Sequence, residues 1–334
     1  MKFQPNTNFF YYLYFIQERM EIFHNKLEGK TPLTADAIME RNKFTNVYRA
    51  LDRSSQYLIS NVIYNERGLA NDYDTEDIFW RIILYKHFNL PSTWEALEKE
   101  FGDITLDTPN SEIIRFLKEY QVNNHVYSNA YMITAAFMRS EAAKKKYGLV
   151  TGMPKFELYL RIFEQDFLEK GIMYKILRQP TFELAFNEIM NVCGIADFLA
   201  YQLIQDLNYS ALFNFDPNSF CAAGPGTIRG IERTFNIIGK PNYQEIVKWT
   251  HLHLEELTKN FSNSMSVNLT PRLIEGLPLT VPDCSNVFCE TDKYMRGLGI
   301  ISEGIEEGRV KQKYTPSNSS IDYVFPPKWG LIKI

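Results

Sequence analysis

Apolar residues recur along most of this chain at three- and four-residue steps, a spacing that predicts helices nearly throughout. Between residues 8 and 27, Phe9, Leu13, Ile16, Met20, Phe23 and Leu27 fall on one face of a single amphipathic helix. Lys30-Thr31-Pro32 ends it, and Asp36 is placed to cap a short turn. Further helices are expected over 75–88, 92–101, 111–123, 154–170 and 178–191, and Val247, Leu254, Leu257 and Phe261 mark another over 243–261. Ser92 with Glu95, just after Pro91, reads as a capping box, and Asn110 as a cap before Ser111. Alternating strand patterns of convincing length, internal repeats and low-complexity segments are not found. The pattern predicts an all-α fold.

Polar positions carry the candidate chemistry. Arg49, Asp52, Arg53 and Gln56 fall at i, i+3, i+4 and i+7, so one helix face would present all four. Such a stripe is either a solvated face with internal ion pairs or the wall of a pocket. The stretch from Ile189 to Arg233 organises the rest. Val192-Cys193-Gly194-Ile195-Ala196 joins two apolar helices as a hairpin over about 187–207. A glycine turn of this kind lets backbone N–H groups and a helix N-terminus approach a phosphate. In the loop at 210–230, Asp216 opens Asp-Pro-Asn-Ser, which is turn chemistry, and also stands where a reactive carboxylate could sit. Gly224-Pro225-Gly226 then leads into a helix with Arg229 in its first turn, either a phosphate cradle or a Gly/Pro turn with a surface arginine. Glu290 and Lys293, at i and i+3, form a helical ion pair or close a pocket.

Composition narrows the class. The 334 residues are 45% hydrophobic and 23% charged, ordinary for a globular protein, with 24 Phe and 20 Tyr pointing to a core built on rings. A net charge of −4 is not the footprint of a generic nucleic-acid binder. If DNA is the ligand, positive charge must gather locally, for instance at Arg41/Lys43/Arg49/Arg53, Lys144-Lys145-Lys146, Arg229/Arg233 or Arg309/Lys311/Lys313. Cys193, Cys221, Cys284 and Cys289 form no CxxC pair and read as reduced thiols. His251 and His253 fall on different helix faces, so no metal site is expected, and no cofactor. The aromatic N-terminus is broken by Gln17, Glu18 and Arg19 and reads as neither signal peptide nor spanning helix. A cytoplasmic monomer with no membrane contact is the expectation. Residues 301–334, rich in Gly, Ser, Pro and Lys, are expected to form an extension over the surface of a helical domain at 1–300.

Hairpin, Asp216 and Gly-Pro-Gly in this order resemble the helix-hairpin-helix DNA glycosylases. Lys43-Phe44-Thr45-Asn46-Val47-Tyr48-Arg49, Asp52-Arg53 with Ser55-Gln56, Asn129-Ala130-Tyr131, Asp216 with Gly224-Pro225-Gly226, and Cys289-Glu290 with Lys293-Tyr294 narrow the likeness. That succession resembles the α-glutamyl/putrescinyl-thymine pyrophosphorylase family, related to the helical domain attached to 5-hydroxymethyluracil DNA kinases. The resemblance implies two helical lobes with the active site at their junction, and duplex DNA bearing modified bases as partner. Asn46, Arg49, Asp52, Arg53, Gln56, Tyr131, Phe220, Glu290 and Lys293 would line a pocket for an extruded pyrimidine. Gly194, Ala196, Gly224, Gly226 and Arg229 would hold the DNA. Ala196 stands where the second hairpin glycine would be, and Phe198 where a lyase lysine would be. A monofunctional glycosylase with Asp216 as catalytic carboxylate is therefore expected, excising a bulky modified pyrimidine (such as glucosylated hydroxymethylcytosine) from phage DNA as antiviral defence. The alternative is a transferase that places an amine or amino acid on pyrophosphorylated hydroxymethyluracil.

Overall fold

The computed structural model describes residues 2–64, 73–128, 137, 140–150, 152–300, 310, 312–315 and 322–331. In chain order they form β1 (Phe3–Pro5), α1 (Phe9–Leu27), α2 (Ala37–Arg41), a 3₁₀ turn at Arg49–Leu51 and α3 (Arg53–Tyr57), which continues as π-helix over Leu58–Ile63. Next come α4 (Thr75–Phe88), α5 (Pro91–Phe101), α6 (Asn110–Tyr120), α7 (Glu141–Tyr147) and α8 (Lys155–Ile162), with π-helix again over Phe163–Glu169. The chain then forms α9 (Ile172–Leu177), α10 (Phe182–Ile189), α11 (Asp197–Leu207), α12 (Pro225–Thr234), β2 (Phe235–Ile237), α13 (Tyr243–Met265) and α14 (Val281–Gly297). Two compact units result, one from Met1–Asp52 with Phe220–Ile321, the other from Arg53–Ser219 with Asp322–Ile334.

In the first unit α14 is the buried axis. Its Val287, Phe288, Thr291, Asp292 and Met295 are all buried, and so is the α1 face of Phe9, Tyr12, Phe15, Ile16 and Met20. Tyr12 packs on Phe288 at 4.4 Å and donates its hydroxyl to the Cys284 carbonyl at 3.2 Å. Helix α12 lies against α14 through glycines. A Cβ on Gly230 would stand 2.0 Å from the Phe288 carbonyl oxygen, and one on Gly226 2.3 Å from Cys289 Sγ. Thr280 and Asp283 form a reciprocal capping box that starts α14. The antiparallel pair β1–β2, in register Phe3 to Ile237, is too short for an alternating pattern to announce it.

The second unit is built on α4, buried from Phe79 to Phe88. Two of its buried charged residues are paired: Lys86 with Asp206 of α11 at 2.6 Å, and Arg81 donating to the Val62 and Ile104 carbonyls. Several boundaries differ from the sequence reading. Ser92 does not cap; Pro91 takes the first position of α5 after an uncapped Leu90. Asn110 lies inside α6 and bonds to Glu164 instead of capping. The helix expected at 154–170 turns π-helical after Ile162, and the one expected at 178–191 starts at Phe182, capped by Thr181. The extension does not merely lie on the surface: Val324 and Phe325 are buried, and Gln56 exchanges two hydrogen bonds with the Val324 backbone at 2.8 and 3.0 Å. Lys328 donates to the carbonyls of Asn208, Ser210 and Phe213, just beyond the C-terminus of α11 where unpaired carbonyls need donors.

His87 is buried, stacks face-on against Tyr159 at 3.6 Å, and has no hydrogen-bond partner at either ring nitrogen among the described residues. Burial, aided by the positive charge of Lys155, holds its pKa well below the ordinary histidine value. The unfolded chain takes up a proton below a pKa of about 6.5 that the folded chain refuses. Its contribution is therefore complete above that pH and is lost as pH falls below it. His87→Phe keeps a stacking ring and is expected to flatten the fall in unfolding free energy between about pH 6.5 and 5. Equal slopes for variant and parent in denaturant titrations would rule out this source.

Candidate functional site

The site grows from a loop that cannot satisfy its own backbone. Helix α2 ends at Arg41, and Asn42 takes an extended conformation whose side-chain amide donates to the Ile38 carbonyl at 2.9 Å. Residues 43–48 then run without regular structure, so their N–H and C=O groups need partners from elsewhere. Charged and amide side chains supply them. The Thr45 N–H donates to Glu290 Oε2 at 3.0 Å, the Asn46 N–H to Asp52 Oδ1 at 2.8 Å, and the Arg49 N–H to Asp283 Oδ1 at 2.8 Å. Asn286 Nδ2 donates to the Asn46 carbonyl at 2.9 Å, Arg19 Nε to that of Thr45 at 3.0 Å, and Lys293 Nζ to that of Lys43. Asn286, Glu290 and Lys293 are spaced i, i+4, i+7 on α14, so one helix face meets the loop along its length.

Two consecutive N–H groups, Thr45 and Asn46, thus each hold a different carboxylate. Lys293 lies 3.4 Å from Glu290 and sits over the Phe44 ring at 4.8 Å. Asp52 is half-buried, and the protein packed around its carboxyl costs the charged form hydration. That loss of hydration, reinforced by the charge of Glu290, pushes its pKa up to about 6; the Asn46 N–H, Arg19 and Arg49 act the other way. Asp283 is pushed up by burial against the Thr280 and Arg49 bonds it accepts.

The residues singled out from sequence distribute unevenly. Asn46, Arg49, Asp52, Glu290 and Lys293 come together around this loop, within the first unit. Arg53 and Gln56 belong to the second unit, Arg53 exposed and Gln56 bonded to Val324. The single helix face expected for Arg49, Asp52, Arg53 and Gln56 does not exist. Asp52, bonded to the Asn46 N–H, takes extended angles (φ −68, ψ 145) and breaks the helix between the 3₁₀ turn and α3. Asp216 is exposed and closes an Asx turn on the Asn218 N–H at 2.9 Å, with Ser219 donating to its carbonyl. Phe220 is buried where the chain re-enters the first unit. Tyr131, with Asn129 and Ala130, lies outside the described residues.

Among the expected DNA contacts, Gly194 has φ +87 and faces the Phe137 ring, where a Cβ would come within 2.6 Å. Its turn is held by Asp166, a buried carboxylate accepting from the Cys193 N–H, Tyr147, Lys146 and Lys170. Ala196 is the uncapped, exposed N-cap of α11, and Gly224 the N-cap of α12. Gly226 packs on Cys289. Arg229 joins Arg233 and Arg296 on the buried Asp292 at 3.1, 2.8 and 3.3 Å, which gives it a structural bond in place of the free surface cation considered above. Sequence reasoning missed Arg19, Thr45, Asp283 and Asn286. The Thr280-x-x-Asp283 spacing was a readable capping signal, and Asn286 completed a readable stripe with Glu290 and Lys293. Arg19 and Thr45 contribute through backbone contacts that no spacing reveals.

A mostly helical scaffold carrying a carboxylate-lined loop site defines a class in which polar chemistry is built on a loop clamped by one helix. Residues 6–300 match the family described as 5-hmdU DNA kinase, helical domain, and the chain belongs to that family. It is 23% identical over 336 aligned positions to the 5-hmdU DNA kinase of Bacillus phage SP10, an alignment covering 96% of this chain and 50% of that protein. The chain thus spans about half the length of the curated relative it matches. No solved structure matches.

Membership in this family overturns the expectation of a DNA glycosylase. The relative carries the name of a kinase that modifies a hydroxymethylated base, so glycosidic hydrolysis, an abasic product and antiviral base excision are withdrawn. Of the expectations drawn from the resemblance, the transferase alternative fits the family better. Among the described residues no helix is long and apolar enough to cross a membrane.

Proposed function

We propose that this chain is a DNA base-modifying transferase acting at the C5 hydroxymethyl carbon of a pyrimidine in DNA, where an amine displaces a phosphate or pyrophosphate ester. The observation that carries the reading is the family match over residues 6–300, which supports hydroxymethyldeoxyuridine in DNA as the substrate class. Such a base must leave the stack to be reached. The loop at 43–49, with Asn46, Arg49, Asp52, Glu290 and Lys293, is then the pocket that receives it. Cationic groups there would offset charge on the departing phosphate, and carboxylates would receive an ammonium nucleophile.

The relative's name favours a second reading, phosphoryl transfer to the free hydroxymethyl group. One local candidate for its nucleotide site fails on geometry. The Gly-Lys-Thr triplet at 29–31 follows the C-terminal end of α1, with His24 where a P-loop has its first glycine. Helix carbonyls emerge there, not N–H groups, so the triplet does not form a nucleotide phosphate cradle.

The test is a duplex containing 5-hydroxymethyldeoxyuridine, either free or carrying a phosphate or pyrophosphate on that hydroxyl. It is incubated with the protein and a panel of amines and amino acids, with and without ATP, and its nucleosides are weighed by mass spectrometry. The expected product is an amine-bearing thymidine from the phosphorylated DNA alone, without need of ATP. Gain of a phosphate on the free hydroxymethyl base, dependent on ATP, would assign the kinase reading instead. Unchanged nucleosides in every arm would remove both.

A further inference from the structure

We propose that Asp52 is the general base of this site, taking the proton from the incoming ammonium, while Glu290 is a positioning residue that holds the loop; the assignment rests on the transferase reading above. Sequence alone put Asp216 first, with Asp52 and Glu290 as pocket residues. Burial and hydrogen bonding together separate them.

A base needs an oxygen that is not already committed. Both oxygens of Asp283 are used, Oδ1 by the Arg49 N–H and Oδ2 by the N–H and hydroxyl of Thr280. Asp292 is fully buried and saturated by Arg229, Arg233 and Arg296. Glu290 is buried, and its Oε2 accepts from both the Thr45 N–H and Lys293. Asp216 is exposed and turned onto its own backbone. Asp52 alone among them is both part of the loop site and only half-buried. Its Oδ1 is fixed by the Asn46 N–H, no described residue bonds to Oδ2, and the residue is partly open to solvent. One oxygen is anchored and the other available, the arrangement that orients a base without occupying it.

The charged groups facing Asp52 are Glu290 from α14, Arg19 from α1 and Arg49 from the 3₁₀ turn. Removal from water and Glu290 together raise its pKa to about 6, so it stays ionised at neutral pH yet binds a proton more firmly than an ordinary aspartate. In the proposed step the ammonium gives one proton to Asp52 Oδ2, which frees the nitrogen lone pair. That pair forms the N–C bond to the C5 methylene. The C–O bond to the phosphate or pyrophosphate breaks, and its electron pair leaves with that group. The product is a secondary ammonium on the base, and the proton on Asp52 passes to water.

Two measurements test this. In single-turnover amine transfer on pyrophosphorylated hydroxymethyl DNA, the rate should rise with pH through an apparent pKa of about 6. Asp52→Asn, which keeps an oxygen for the Asn46 N–H, should slow transfer by about 10²- to 10⁴-fold. It should also abolish the acidic limb while leaving affinity for the same DNA within about twofold, so a folding or binding defect is recognised as such. Glu290→Gln should weaken DNA or amine binding yet keep the limb. An unshifted limb in Asp52→Asn, or its loss in Glu290→Gln, overturns the assignment. The second measurement needs no turnover: with ¹³C-carboxyl aspartate, the resonance that disappears in Asp52→Asn should titrate near 6. Titration near about 3.9, the ordinary aspartate value, would sink the base role even if the wild-type protein transfers amines. Titration near 6 in a protein that forms no amine product would overturn the transferase reading, and the base role with it.

Discussion

Gly230→Ala is expected to destabilise the unit formed by Met1–Asp52 and Phe220–Ile321 by about 3 kcal/mol, and it is the more severe of two glycine substitutions on α12. The added methyl would lie 2.0 Å from the Phe288 carbonyl oxygen and 3.1 Å from its Cα, so the obstacle is backbone in the middle of α14. A main-chain carbonyl committed to a helix cannot rotate away; α12 would have to move off α14 as a whole. The same displacement would disturb Arg233 and Arg229, which share Asp292 across that contact. Gly226→Ala meets Cys289 Sγ at 2.3 Å, a side chain that can be trimmed. The pair separates the two causes. Cys289→Ala should restore most of the stability lost in Gly226→Ala, whereas no side-chain substitution at 288 should restore Gly230→Ala. Thermal unfolding of the single and double variants provides the comparison. A Gly230→Ala protein with parental stability would mean that the helices part more easily than the close approach implies.

Lys86→Met is expected to cost the second unit about 3–5 kcal/mol, because it leaves the buried carboxylate of Asp206 without its cation. Both side chains are almost wholly enclosed, at 4% and 0% exposure, and the pair joins α4 to α11 at 2.6 Å. A buried ion pair is not strongly stabilising overall, since its attraction offsets a large dehydration cost. Removing one half exposes that cost. The double variant Lys86→Met/Asp206→Leu should therefore recover much of the loss. The pH dependence follows from the same balance. A buried carboxylate that loses its cation is pushed toward the neutral form, so the folded form of Lys86→Met binds a proton more tightly than the unfolded form. The deficit of Lys86→Met should shrink as pH falls toward 5 and persist at pH 8. A deficit that does not vary with pH, or no recovery in the double variant, would place the loss in side-chain packing.

How far the candidate site was legible depends on the range of the contacts that make it. Glu290 and Lys293 were visible because three residues on a helix is a short-range relation. Arg49 and Asp52 were also singled out, but for a reason that does not hold: the shared helix face vanishes where Asp52 bends to accept the Asn46 N–H. Their true relation runs through Asp283 and Glu290, more than two hundred residues away in the chain, and no periodicity carries such information. Asp216 shows the opposite case. Its turn chemistry was local, plainly readable, and is what the structure displays.

From sequence alone the helical character, the amphipathic α1, the extent of α4, the Gly194 turn between two helices and the cap at Asp36 could be determined. Each depends on backbone preferences and on a periodicity that acts within a few residues. Tertiary structure alone decided that α14 is the axis of one unit and that Val324 and Phe325 enter the core of the other. It also decided which carboxylate of the loop site stays partly open to solvent. Those outcomes depend on which distant groups exclude water from, or donate to, a given side chain, and burial and hydrogen bonding at long range leave no local signature in the order of residues.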